Sequence, residues 1–374
     1  MLPCVIASIS DIHLGHRNNP TLNIIAALDK VIFEDRLLEK IDLLILAGDI
    51  YERLLDLNHP DIGEIDMWMS RVLRGCHKHK VALRVLRGTR SHDWDQPQRF
   101  ELFYEMLKLD IDFKYVDTLE IEYMTALDAH VLYVPDNYKH DSSETLDEVR
   151  ELLRARALDK VDISIMHGMF DYQQPEGIRV VEAHDSAAYM SFTRHFIFIG
   201  HVHTHSVVGN AIAQGSFDRL KHGEEEPKGF VMAYIDEDNG NHVFFVENTK
   251  ARIYKTVQCY KMDLESTLRY IEEVVTPLPS DSAVRIEAEP DHPLFSNMHE
   301  LEKIFPLISW SKLPKQKDET MKETVVVSTS EFDEWSPIVL TRENIVDVLM
   351  KRLETKVILD TDKLFVQEQL KELR

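Results

Sequence analysis

The chain has 374 residues, 44% of them hydrophobic, and 65 acidic against 43 basic side chains give it a formal net charge of -22. That length favours two or three units over one small domain, and the composition is that of a soluble globular protein. No apolar stretch approaches the ~20 residues of a membrane span, and the acidity is the opposite of what a free-standing nucleic-acid-binding module carries.

The first segment, Met1 to Ser10, is apolar, lacks a basic n-region and runs straight into Asp11, so it reads as a buried strand over Val5 to Ser10 and not as a signal peptide. Thr21 to Lys40 predicts a helix with Ile25, Leu28 and Ile32 on one face. Leu43 to Ala47 is a continuous apolar run, as a strand covered on both sides should be. A helix over Ile65 to His77 and a strand over Val81 to Leu86 complete a strand–helix alternation that argues for a mostly parallel α/β layer. Val131 to Val134, Ile163 to Met166, Phe196 to Ile199, Gly229 to Ile235 and Val243 to Val246 continue the strands and suggest a second sheet. The expected architecture is therefore a two-sheet sandwich with helices outside.

Beyond residue 250 the character changes. Tyr254 to Met262, Leu264 to Val275, Ala283 to Ala288 and Asn297 to Phe305 read as strand, helix, strand and helix, a compact unit over 251–311. The polar stretch Lys312 to Glu323 predicts a linker. A strand over Thr324 to Val327 and two amphipathic helices follow, with Ile345, Val348, Leu349 and Leu353 on one face of the first and Leu364, Phe365, Leu370 and Leu373 on the second. Amphipathic helices that follow a charged linker suit a partner groove. Cys4, Cys76 and Cys259 are scattered and odd in number, so neither a disulfide framework nor a zinc ribbon is expected, and a reducing cytoplasm is.

The chemistry-bearing residues recur in one order: Asp11-Ile12-His13, Gly48-Asp49, Ser91-His92-Asp93, His167 and Gly200-His201-Val202-His203. Each group sits just after a short apolar run that reads as a strand. One Asp-x-His or one Gly-His-x-His alone is a weak signal; the whole series at strand ends points to a metal centre. Two divalent ions about 3.5–4 Å apart activate a water and clamp phosphate oxygens, and they need a bridging carboxylate with imidazoles and carboxylates around it. Asp49 stands where such a carboxylate belongs, and Gly48 allows the tight turn before it. A mixed His/Asp donor set suits Mn, Fe, Zn or Ni.

This order resembles the calcineurin-like metallophosphoesterase superfamily. The resemblance implies an αββα sandwich of two sheets. It implies one metal held by Asp11, His13, Asp49 and His203, a second by Asp49, His167 and His201, and Asp49 bridging. His92 would be the non-ligand histidine that contacts the phosphate and helps the leaving oxygen depart, with Asp93 orienting its ring. The family pattern Gly-Asn-His-Asp carries an Asn ligand to the second metal, but this chain reads Gly88-Thr89-Arg90-Ser91-His92-Asp93, with two extra residues and no Asn. Ser91 takes the Asn position when His92-Asp93 is kept in register, and Thr89 is its rival. Arg90 is a new cation beside the site that either holds a substrate phosphate or is a solvated loop residue.

Within the superfamily, Ser10 to Gly15, the segment Gln214 to Arg219 and the segment Glu226 to Phe230 are similar to the SbcD-type DNA-repair nuclease branch. That resemblance covers roughly residues 1–236. It implies a capping domain over DNA, a docking segment in 324–374 for an SbcC-type ABC ATPase with a long coiled coil, and a homodimer. It further implies manganese as the first choice of metal (magnesium, iron or zinc otherwise) and a cytoplasmic setting in a bacterial or phage-infected cell. The chain has no Gly-x-x-x-x-Gly-Lys-Ser/Thr sequence, so the ATPase would be a separate chain. The expected function is a metal-dependent DNA exonuclease and endonuclease subunit in repair, recombination or replication. The alternatives are a small-nucleotide or phosphoprotein phosphoesterase of the same fold, and a non-catalytic scaffold with a weakened second metal site.

Overall fold

The computed structural model describes residues 1–174, 180–236, 238 and 240–315. In chain order the elements are β1 (Cys4–Ile9), α1 (Thr21–Asp29), β2 (Leu43–Ala47), α2 (Asp61–His79), β3 (Ala82–Leu86), α3 (Arg90–Asp93), α4 (Arg99–Leu107), β4 (Phe113–Val116), β5 (Glu120–Met124), β6 (Ala129–Val134) and α5 (Ser142–Ala155). There follow β7 (Val161–His167), α6 (Ser186–Phe192), β8 (Thr193–Gly200), β9 (Ser206–Val208), β10 (Ala211–Ala213), β11 (Gly229–Ile235) and β12 (His242–Glu247). The last described elements are β13 (Tyr254–Gln258), α7 (Leu264–Val275), β14 (Ala283–Ala288), α8 (Met298–Ile304) and β15 (Ser309–Pro314).

The strands form two six-stranded mixed sheets, β12-β11-β1-β2-β3-β4 and β5-β6-β7-β8-β10-β9, and one three-stranded sheet, β13-β14-β15. In the first, β1 through β4 are parallel and β11 and β12 antiparallel; in the second, β6, β7, β8 and β10 are parallel. Alternate side chains of a strand face opposite ways. Ile6, Leu43 and Ile45 from the first sheet therefore meet Val131, Ile163 and Phe198 from the second in one buried layer. On the outer face of the first sheet, Leu44, Leu46 and Val85 pack under Leu28 of α1 and Trp68 and Val72 of α2. On the outer face of the second, Leu132 and Ile197 pack under Val149 of α5 and Tyr189 of α6. The result is an α/β sandwich with helices on both outer faces, as the continuous apolar strands anticipate. Gly229 to Ile235 and Val243 to Val246, expected in the second sheet, instead join the first, β11 pairing onto β1 and β12 onto β11.

The predicted helix over Thr21 to Lys40 is broken. α1 ends at Asp29, one π-helical turn covers Lys30–Glu34, and Arg36 adopts a left-handed backbone (φ 59°) before a 3-10 turn over Leu37–Glu39. The break lets Leu37 and Leu38 reach the core from a different angle. The third sheet is larger than predicted. β15 pairs parallel with β14 from Ala283–Ser309 to Ala288–Pro314, so the expected boundary at residue 312 falls inside a strand. Its side chains show no alternation and no apolar face, which hid it among polar residues. This small unit has its own core of Val257, Ile271, Val284, Ile286 and Leu301. Residues Met1–Lys317 cluster as one compact unit. The predicted strand and helices of 324–374, and all of the expected linker after Lys315, lie outside the described residues. The three cysteines are buried free thiols.

One polar residue interrupts the buried strand β3. Arg84 is 1% exposed and donates to Glu122 of β5 (2.8 and 3.0 Å), to Asp112 (2.7 Å) and to Tyr133 of β6 (3.1 Å), tying the two large sheets together at one end. Burial would raise the Glu122 carboxyl, but the Arg84 hydrogen bond and charge, with the Tyr133 hydroxyl, hold it below the usual carboxylate value. This stabilisation is complete above the unfolded-chain value of about 4.3 and is lost as pH falls through the lower folded value. Arg84→Leu leaves the largely buried Glu122 without its partner and is expected to cost about 3 kcal/mol in denaturant unfolding at pH 7. Glu122→Gln should trail wild type at pH 7 by a gap that narrows below pH 4; a gap independent of pH would refute the linkage.

Candidate metal centre

The C-terminal ends of parallel strands from both large sheets converge on one edge, the place where open α/β sheets present their ligand-binding loops. Asp11 and His13 follow β1, Asp49 follows β2, Gly88 and Thr89 follow β3, His167 ends β7, and His201 and His203 follow β8. The loops hold each other. Asp11 N–H donates to Gly48 O, and the N–H groups of Ile12 and His13 donate to Asp49 O. Asp11, His13, Asp49 and His201 all have positive φ (52°, 56°, 50° and 101°), a conformation that non-glycine residues hold only when their surroundings impose it. Gly48 is at φ 87°, where a Cβ would lie 2.3 Å from His167 Nδ1, and a Cβ on Gly88 would lie 2.1 Å from the Asp49 nitrogen. Both positions require glycine because site residues press on the backbone.

The side chains fall into two sets. Asp11, His13 and His203 form one, Asp49, His167 and His201 the other, and His13 also groups with Glu52 and His92. In the first set, His13 Nδ1 lies 2.8 Å from Glu52 Oε2 and His203 Nδ1 lies 3.1 Å from Glu224 Oε1. A carboxylate only accepts, so His203 Nδ1 carries hydrogen; His13 Nδ1 is close to Glu52 without a well-aligned bond to it, and both Nε2 atoms face inward. Those Nε2 atoms are 3.2 Å apart. Two acceptors at that distance repel unless a cation, proton or metal, stands with them. Asp11 is fully buried and takes the His201 N–H at 3.0 Å and the Ser10 hydroxyl at 2.6 Å.

In the second set, His167 Nδ1 donates to Ala47 O at 2.7 Å, which turns Nε2 towards Asp49 Oδ1 at 3.3 Å. Asp49 also accepts the Thr89 N–H at 2.6 Å. Burial alone would raise the Asp49 carboxyl and lower the His167 imidazole. Their mutual attraction outweighs burial in both, holding Asp49 well below the usual carboxylate range and pushing His167 up. Burial, with His167 next, lowers His201. The fit to divalent ions is good: two buried carboxylates and four imidazoles are the donors that Mn, Fe or Zn take, and the Glu224 and Ala47 acceptors, with Glu52 close to His13, stand as the outer partners that orient such histidines.

His92 stands beside the first set, its ring 5.1 Å from that of His13 and edge-on to it. Its Nδ1 lies 2.7 Å from Glu52 O. Asp93 does not orient His92, contrary to expectation. Its carboxylate is fully buried and accepts the N–H of Tyr51 (3.0 Å) and of Gly88 (2.7 Å), clamping the loop after β2 to the loop after β3. Burial pushes that carboxyl up to about 7, the Asp49 charge adds to the rise and the two N–H donors oppose it. Ser91 does not reach the second set: α3 turns it to solvent, where its carbonyl takes the Trp94 indole N–H. Thr89 Oγ1 lies in the set instead. Arg90 is exposed on the same turn.

Sequence reasoning missed Glu52, Glu224 and Asp136. Glu52 follows Asp49 by three residues, and Glu224 lies in an acidic run that looks like solvated surface, so neither advertises itself. Asp136, buried after β6, feels the His167 and His201 charges, yet burial dominates and raises its carboxyl.

No protein-family description matches the chain, and no curated protein matches it. Among solved structures, TT1561 of Thermus thermophilus is similar at 11% identity over 65% of this chain and 99% of its own, with a TM-score of 0.40. A second crystal structure is similar at 16% identity over 66% of this chain and 100% of its own, with a TM-score of 0.39. Likenesses this distant assign no activity.

Chelator-stripped protein should melt at a higher temperature when Mn²⁺ is restored, by about 2.7 kcal/mol of added stability at one hundred times the dissociation constant. Asp49→Ala should abolish the shift in differential scanning fluorimetry. A wild-type melt indifferent to Mn²⁺, Zn²⁺ and Fe²⁺ would show that these side chains do not form a metal centre.

Proposed function

We propose that this chain is a metal-dependent phosphodiesterase of the calcineurin-like type, cutting DNA without base-sequence specificity as the nuclease subunit of an SbcD–SbcC-like pair. The observation that carries the reading is the convergence of Asp11, His13, Asp49, His167, His201 and His203 at the ends of strands from two sheets, with His92 at their rim. Asp11, His13 and His203 would hold one divalent ion, Asp49, His167 and His201 the other, with Asp49 shared. Bound ions supply an activated water and relief of phosphate charge.

The remaining work falls to the chain. Glu52 O can only accept, so His92 gives it the Nδ1 hydrogen and presents Nε2 outward. As imidazolium, His92 holds at Nε2 the proton that the departing sugar oxygen needs. Arg90, exposed on the same turn, is available to a neighbouring backbone phosphate. The unit built on β13, β14 and β15 supports the capping role that the SbcD-type resemblance implies. A homodimer is supported by exposed apolar side chains around α2 and α4, namely Leu54, Leu57, Met67, Trp94, Leu102 and Met106.

Purified chain with Mn²⁺ should degrade linear duplex or single-stranded DNA, and His92→Ala should lower the rate by about 10²–10⁴-fold, the range of a lost general acid, with metal binding retained. Metal bound without turnover, alone and with an SbcC-type ATPase, would favour the scaffold. Rapid hydrolysis of small phosphoesters with DNA untouched would favour the small-substrate enzyme. Leu57→Asp with Leu102→Glu should shift a dimer to monomer in sedimentation equilibrium; a wild-type monomer at all concentrations would remove the dimer from the reading.

A further inference from the structure

We infer that the Thr89 side-chain hydroxyl is a ligand of the second cation site, standing where an amide oxygen would otherwise serve, and that it makes this site the weaker of the two. The inference rests on the two-cation reading above. Thr89 Oγ1 lies 3.2 Å from Asp49 Oδ2, 3.4 Å from His167 Nε2 and 3.3 Å from His201 Nδ1, and His167 Nε2 lies 3.3 Å from Asp49 Oδ1. A tetrahedron of donors with bonds of about 2.0–2.1 Å has edges of about 3.3–3.4 Å. The hydroxyl therefore stands at coordination spacing from both imidazole nitrogens and from one Asp49 oxygen, while His167 is at that spacing from the other.

Hydrogen-bond arithmetic supports this. A hydroxyl has one hydrogen and two lone pairs. Its hydrogen goes to Asp49 Oδ2, which leaves its lone pairs uncommitted beside the two imidazole nitrogens. Local structure does not claim the oxygen either. Thr89 occupies the N-cap position of α3, where a threonine usually bonds a backbone N–H of the first turn, but it makes no side-chain cap bond here. Its carbonyl starts the turn by accepting from His92 and Asp93, and its main-chain N–H grips Asp49 Oδ1 at 2.6 Å. The residues between Thr89 and His92 are thus coiled into a helical turn, which keeps His92 at the rim while Thr89 stays in the centre. A neutral hydroxyl carries less negative charge on oxygen than a resonance-polarised amide, so the second site should bind its cation less tightly than the first.

The test is Mn²⁺ titration of the chelator-stripped full chain, followed by electron paramagnetic resonance of free Mn²⁺ and by calorimetry, with no activity needed. Wild type should bind two ions with dissociation constants at least tenfold apart. Thr89→Val keeps the shape and the main-chain bond to Asp49; it should weaken the second ion a further tenfold or more and leave the first unchanged. Thr89→Ser should match wild type, Thr89→Asn should narrow the gap, and Ser91→Ala should change neither site. Circular dichroism melts check that each variant folds. If Thr89→Val binds both ions as wild type does, the hydroxyl is not a ligand. If it weakens both ions equally, Thr89 only positions the shared Asp49, and the inference fails. Two wild-type sites of equal affinity would overturn the asymmetry, and no binding at all would bring down the two-cation reading itself.

Discussion

The structure depends on one electrostatic demand: lone pairs and carboxylates are driven together, out of water, at the ends of five strands. Two of the clustered imidazoles have the Nδ1 hydrogen committed elsewhere, His203 to Glu224 and His167 to the Ala47 carbonyl, and His13 Nδ1 lies beside Glu52. That commitment fixes the tautomer and aims Nε2 at the centre. Nothing aimed inward there is a permanent cation among the described residues, so the arrangement is stable only with positive charge supplied, by protons on the histidines or by metal ions. The same demand raises His167 and depresses Asp49, each favouring the charged form of the other.

Assembling such a centre costs backbone strain and buried charge, and the sandwich absorbs both. Four site residues sit at positive φ, a cost of order 1–3 kcal/mol each. The loops are held there by bonds between strand ends: Asp11 to Gly48, Ile12 and His13 to Asp49, and the Asp93 carboxylate spanning Tyr51 and Gly88. Asp93 is thus a structural clamp that happens to follow the catalytic candidate in sequence. Its position next to His92 suggested a partnership, but α3 turns adjacent residues to different sides, one to the rim and one to the interior.

The same geometry explains what the sequence made legible. A strand buried on both faces is a continuous apolar run, so Leu43–Ala47 could be bounded to the residue, and helical periodicity did the same for Leu264–Val275. Motif residues at strand ends announced themselves because the chemistry fixes both their type and their place. What stayed hidden lacked either signal. β15 has no apolar periodicity because both of its faces are largely exposed, with only Trp310 on one and Leu313 on the other partly covered. Glu52 and Glu224 act through contacts made only after folding, far along the chain from the histidines they orient. Ser91 and Thr89 could not be separated by register, since the alignment counts residues and the structure coils the extra ones into a turn.

The proposed chemistry also has to be reconciled with a chain of net charge -22. At physiological ionic strength the Debye length is about 8 Å, so the acidic surface repels a polyanion only at close range and cannot steer one in. Binding then has to be local. A centre that concentrates two divalent ions beside an exposed arginine offers the phosphate an attraction confined to the scissile position, while flanking phosphates meet a surface that is neutral or hostile. Such an enzyme would hold DNA weakly and indiscriminately by itself and would gain from a partner that supplies backbone contacts. Under this reading the acidity is a condition on the mechanism: it keeps the cutting subunit off nucleic acid until another surface presents the strand.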